Sequence, residues 1–140
     1  MSYICKIILP TLALIMHSNF AMSGNLYQYA MYVTPDSATD KCELKQRYSL
    51  INNKPKSIPG KYTDYGCQVT IPKKRYQAMY QFCFFSGINL EKIQEGQSSE
   101  CFIQERDNDY TFSAYIGRNK NPESQVMCYF SCLGNTENQE

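Results

Sequence analysis

The sequence contains no tryptophan, a single histidine and no Cys-x-x-Cys pair. The longest apolar stretch, Ile7 to Met16, is interrupted by Pro10 and Thr11 and falls well short of the ~20 residues that a membrane-spanning helix needs. Neither sign of charge dominates: 14 basic residues face 13 acidic ones, which excludes a bulk electrostatic binder of the histone kind. Without paired thiols the usual start of a zinc cluster or a redox motif is missing.

What the first 23 residues do contain is an export address. Lys6 precedes an apolar run of the length expected for the hydrophobic region of a secretory signal. Ala21 and Ser23 place small residues at the −3 and −1 positions, so cleavage is expected before Gly24. Cys5 lies ahead of the apolar run, where it cannot serve as a lipid attachment site. Taking 23 residues from 140 leaves 117, with 13 basic and 13 acidic side chains. Cys5 and His17 depart together, so the mature chain has an even set of cysteines and no histidine.

The missing histidine excludes whole mechanisms. A Ser-His-Asp hydrolase would have no general base, and ribonucleases or phospholipases that rely on imidazole have none to use. The cysteines point instead to structure. Cys42, Cys67, Cys83, Cys101, Cys128 and Cys132 in an exported chain predict three disulfides. Each is worth about 2–4 kcal/mol, a large share of the ~5–15 kcal/mol net stability of a small domain. Cys128 and Cys132 sit four apart in an expected strand, about 13 Å along it, and should therefore have different partners.

The mature chain reads as one α+β domain over residues 24–140: a small disulfide-stabilised fold, mostly antiparallel sheet with one helix. Leu26 to Val33 is rich in aromatic and apolar residues and predicts a strand stopped by Pro35. Cys42 to Ile51 is a weaker strand, Asn52 to Lys61 a proline-containing loop, and Tyr65 to Ile71 a short strand. After Pro72, the apolar spacing Tyr76, Met79, Tyr80, Cys83 predicts a helix ending near Gly87. Lys73, Lys74 and Arg75 in its first turn oppose the helix dipole. Cys101 to Arg106 and Tyr110 to Ile116 predict a hairpin, with Asp107-Asn108-Asp109 tolerating a left-handed turn. Gln125 to Leu133 alternates with apolar residues on both faces, as a central strand does, and Gly134 to Glu140 is a polar tail.

Two patterns could carry function. Glu100, Glu105, Asp107 and Asp109 could supply the carboxylate pair of a glycoside hydrolase, although Asp107 and Asp109 are also ordinary turn formers. The stronger pattern is charge asymmetry. Lys41 to Arg75 holds nine basic residues against Glu43 and Asp64, whereas Glu91 to Glu140 is net acidic by five. Tyr48, Tyr62, Tyr65 and Tyr76 are interleaved with the basic residues, and tyrosine joins a rigid apolar ring to a hydroxyl at recognition surfaces. The candidate binding residues are Lys54, Lys56, Lys61, Tyr62, Tyr65, Lys73, Lys74 and Arg75. The alternatives are that the two halves pair across the fold or present solvated faces. Lys73-Lys74-Arg75 could also be a processing site, but a cut there would separate the expected strand from the expected helix.

The sequence thus predicts a secreted protein, extracellular or periplasmic, without enzymatic activity, metal or cofactor. It would act as a toxin-like, inhibitor-like or adhesion factor on a protein or an anionic glycan, with no nucleic acid partner and no transmembrane segment in the mature chain. The rival expectations are a small carboxylate-dependent hydrolase of an extracellular glycan and a structural component of an envelope or surface assembly.

Overall fold

The computed structural model describes residues 24–35, 41–49, 56–63, 66–117 and 123–135. The expected export signal (1–23), Lys54, Tyr65 and the tail from 136 lie outside them. The elements run β1 (Leu26–Val33), β2 (Glu43–Ser49), β3 (Ser57–Pro59), β4 (Lys61–Thr63), β5 (Gly66–Pro72), α1 (Lys73–Met79), β6 (Tyr80–Glu91), β7 (Ser99–Arg106), β8 (Asp109–Ile116) and β9 (Gln125–Gly134). The expected mostly antiparallel sheet with one helix is present, the helix short and the strands divided between two sheets. One has the order β3-β2-β1-β9-β6 and the other β4-β5-β8-β7, with every pairing antiparallel.

Alternation in the sequence explains the packing. Tyr29, Met31 and Val33 of β1 lie opposite Phe130, Cys128 and Val126 of β9, so one face of the first sheet is continuously apolar. Cys67, Val69 and Ile71 of β5 lie beside Ala114, Phe112 and Tyr110 of β8 and supply the facing surface. Phe112 and Phe130 meet edge-on with ring centroids 5.3 Å apart at the centre of the core, both fully buried. Each contributes about 1.5–3 kcal/mol from burial.

The three disulfides close the two layers. Cys42 just before β2 is bonded to Cys67 of β5, and Cys101 of β7 to Cys128 of β9, so two bridges cross between the sheets. The third, Cys83–Cys132, ties β6 to its neighbour β9 at register partners 4.0 Å apart between Cα atoms. Cys128 and Cys132 therefore have different partners, as strand geometry requires.

Three expectations need correction. The helix ends at Met79 rather than near Gly87, and Tyr80 to Glu91 is a twelve-residue strand paired along β9. The helix has no side-chain cap at Pro72 and no acid in its first turn, where three basic residues begin it. A segment so weakly started cannot outcompete a ladder of strand hydrogen bonds and a disulfide. The expected loop Asn52 to Lys61 contains β3, and β4 follows immediately. Gly60 separates them, donating its N–H to the Cys42 carbonyl at 2.8 Å where the chain passes from one sheet to the other. A Cβ there would run into the Gln68 backbone. The third correction concerns the β7–β8 hairpin: Arg106 pairs with Asp109, and neither Asp107 nor Asn108 adopts positive φ. The Asn108 carbonyl instead accepts the Lys73 N–H at 2.6 Å and docks the start of α1.

Candidate functional site

The basic stretch from Lys41 to Arg75 does not form one surface. On β2, Lys45 and Arg47 are exposed and alternate with the buried Leu44 and Gln46. Lys45 and Arg47 join Lys41 and Tyr32 around a shallow hollow on the outer face. Lys61 is exposed on β4 opposite Gln68, while Tyr62 beside it packs against the core. Lys73 pairs with Glu105 at 2.5 Å, which holds the Glu105 carboxyl below its ordinary range, with the Tyr110 hydroxyl assisting. Lys74 is exposed on α1. Of the predicted binding residues among those described, Lys56 and Arg75 both line one cleft, at one end of the sandwich.

That cleft encloses about 530 Å³ between β1, β2, β3, α1, the start of β6 and Asn135 just past β9, a size ordinary for small-ligand sites. Its floor is tyrosine. The Tyr29 and Tyr80 hydroxyls are hydrogen-bonded at 2.6 Å, and both residues are almost wholly buried. The Tyr80 ring lies edge-on to Tyr27, Tyr29 and Tyr76, with centroids 6.3, 6.0 and 5.5 Å away. Tyr76 in turn stacks on Tyr110 at 3.8 Å. The sequence pattern places Tyr27 and Tyr29 on a strand and Tyr80 on a helix face, without a site role. The signal that could have found them is tyrosine at alternate positions of a core-facing strand, where each hydroxyl needs a partner.

The electrostatics follow from burial. Desolvation pushes Tyr80 far above the ordinary tyrosine range; Tyr29 and Tyr27 reinforce this and Arg75 partly offsets it. Desolvation also raises Tyr29, less so because of its hydrogen bond to Tyr80. Both stay protonated at neutral pH. One proton bridges the two oxygens, and the accepting hydroxyl retains a second proton that this bond does not use.

The walls position the cations. Gln46 is buried, and its backbone N–H donates to the Lys56 carbonyl at 2.8 Å while its side-chain oxygen accepts the Lys56 N–H at 3.3 Å. This pins the Lys56 backbone at the rim. Arg75 projects from α1, whose C-terminus is held by Asn135: its N–H donates to the Met79 carbonyl at 3.1 Å and its side chain to the Gln77 carbonyl at 2.5 Å. Among the described residues no carboxylate pairs with Lys56 or Arg75, and no acidic side chain lines the cleft. Met79 and Ile58 add apolar wall. The arrangement can accept an anionic group between two cations and a flat apolar group against the tyrosines.

The candidate carboxylates lie elsewhere. Glu105 is held by Lys73, and Glu100, Glu105, Asp107 and Asp109 are all absent from the cleft. Among the described residues no three His, Cys, Asp or Glu side chains converge as metal ligands, and no helix is long and apolar enough to cross a membrane. Comparison of the chain with protein-family models, curated proteins and solved structures finds no match.

Proposed function

We propose that this is a secreted, non-enzymatic binding protein, of the toxin-like, inhibitor-like or adhesion kind, that holds an anionic group of a protein or glycan in the tyrosine-floored cleft. The observation that carries the reading is that Lys56 and Arg75, without a carboxylate among the described residues to neutralise them, line a cavity to which no described acid contributes. An uncompensated cation pair beside rigid aromatic rings is suited to an anion attached to a flat or apolar body. Export accounts for the disulfides, which persist in oxidising compartments.

The test is calorimetric titration of the oxidised mature chain with two probes, a sulfated heparin-derived hexasaccharide and an acidic tyrosine-containing peptide. At least one is expected to bind, and the double variant Lys56→Glu/Arg75→Glu is expected to lose at least tenfold in affinity while its circular dichroism is unchanged. Loss of the same affinity in Lys61→Glu but not in the double variant would move the site to β4. Binding unaffected by the double variant, or no binding of either probe, would overturn the reading.

A further inference from the structure

Among the described residues six large apolar side chains stand exposed, and five of them, Phe82, Phe84, Phe85, Ile88 and Leu90, belong to β6. β6 ends the five-stranded sheet and pairs with β9 alone among the described residues, so no described strand covers the backbone groups of its other edge, although the Cys83 backbone hydrogen-bonds the Tyr76 side chain. Edge strands are normally blunted by shortness, lysine or proline. β6 is twelve residues long, without proline and without charge before Glu91. Bulges at Tyr80/Phe82 and Phe85/Gly87 bend it but leave its apolar character intact. Its three phenylalanines are 43–47% exposed. At 150–250 Å² per aromatic side chain they leave roughly 200–330 Å² of ring surface uncovered. With Ile88 and Leu90 added, the strand alone matches the largest apolar patch of an ordinary monomer.

We propose that β6 pairs antiparallel with β6 of a second copy of this chain, joining two five-stranded sheets edge to edge. Two observations select this occupant. The exposed residues lie on both faces of the strand. Phe85, Ile88 and Leu90 are opposite the core residues Phe130, Cys128 and Val126, and Phe82 and Phe84 lie against each other with centroids 6.1 Å apart. Only a strand that is itself apolar on both faces covers such an edge, and β6 is one. The second observation is charge. Lys74 is exposed just ahead of β6, whereas Glu91 ends it and Glu95 follows, both exposed, and Lys92 between them is paired with Glu123. A two-fold antiparallel pairing sets the basic end of each copy against the acidic end of the other, twice per dimer. A parallel pairing would bring like charges together. The two-fold contact also closes on itself and stops at two copies. β6 begins at Tyr80 on the cleft floor, but the residues tested below, Lys74, Phe84, Ile88 and Glu91, do not line the cleft, so the two readings are tested separately.

The test is analytical ultracentrifugation of the oxidised mature chain over a concentration series. The wild type is expected to dimerise, and Phe84→Lys/Ile88→Lys to remain monomeric with an unchanged disulfide mass and circular dichroism spectrum. Should that variant misfold, the charge swap decides. Lys74→Glu and Glu91→Lys are each expected to weaken the dimer by about 5- to 30-fold, as one or two exposed ion pairs allow, and the double variant to restore it. A wild type that stays monomeric throughout, a dimer indifferent to Phe84→Lys/Ile88→Lys, or a double charge variant that remains weak would each overturn the proposal.

Discussion

Alkaline pH is expected to unfold this protein through its buried tyrosines, at a rate per pH unit that the fold dictates. Tyr29 and Tyr80 are both raised above the ordinary tyrosine value of 10.0, chiefly by burial. Below pH 10 these groups are protonated in the folded and unfolded chains alike, so their contribution does not depend on pH. Above pH 10 the unfolded chain releases both protons while the folded chain keeps them. Stability therefore falls as pH rises, and continues to fall until the folded groups themselves titrate. Each proton withheld costs about 1.4 kcal/mol per pH unit, so the pair costs at most about 2.7 kcal/mol per unit beyond pH 10, for as long as both folded groups stay protonated. Buried Tyr76, also raised, adds in the same direction. The assay is urea unfolding at pH 8, 10, 10.5 and 11, with brief exposure to limit disulfide chemistry, alongside tyrosinate absorbance of the folded chain. Tyr80→Phe removes one of the two protons and is expected to reduce the slope by about 1.4 kcal/mol per unit. It also removes the Tyr29 hydrogen bond, at a cost of about 0.5–1.5 kcal/mol at neutral pH. If all tyrosines of the folded chain ionise together near pH 10, or if stability is flat between pH 8 and 11, the buried hydroxyl cluster is not as described.

Two further outcomes test the framework around the cleft. Replacing Cys42 and Cys67 with alanine opens a loop of 25 residues and is expected to cost about 3.5 kcal/mol in urea unfolding of the oxidised chain. A loss under 1 kcal/mol would mean that the bridge constrains little. Gly66→Ala places a Cβ against the Ala114 carbonyl across the β5–β8 pair; overpacking of this kind costs about 1–3 kcal/mol, and an unchanged urea midpoint would show that the two strands separate more easily than the register implies.

How far the sequence disclosed this arrangement depended on the kind of signal each segment carried. β1, β9 and the β7–β8 hairpin were legible because alternation or turn residues bounded them, and the six cysteines were legible as bridges because of their even number. β6 was not. Tyr76, Met79, Tyr80 and Cys83 satisfy a helical period, but Phe82, Phe84 and Phe85 fill the positions between them, so periodicity cannot distinguish helix from a strand apolar on both faces. The deciding influence was non-local: β9 offers β6 a full ladder and Cys132 offers Cys83 a bond. The basic stretch was visible as charge but not as geometry. Alternation on β2 sends Lys45 and Arg47 outward, Glu105 captures Lys73 from another strand, and among the described basic residues Lys56 and Arg75 line the cleft. Their tyrosine floor is assembled from Tyr27, Tyr29 and Tyr80, some 50 residues apart in sequence, which no local pattern connects.

The most direct measurement of the central claim is an NMR titration of isotopically labelled, oxidised residues 24–140 with the sulfated hexasaccharide or the acidic peptide, whichever binds in calorimetry. Saturable shifts are expected at the ring signals of Tyr27, Tyr29 and Tyr80 and at the amides of Gln46, Lys56 and Asn135, the residues that form the cleft. Shifts confined to the outer face around Lys41, Lys45 and Arg47, with the tyrosine rings unmoved, would contradict the account.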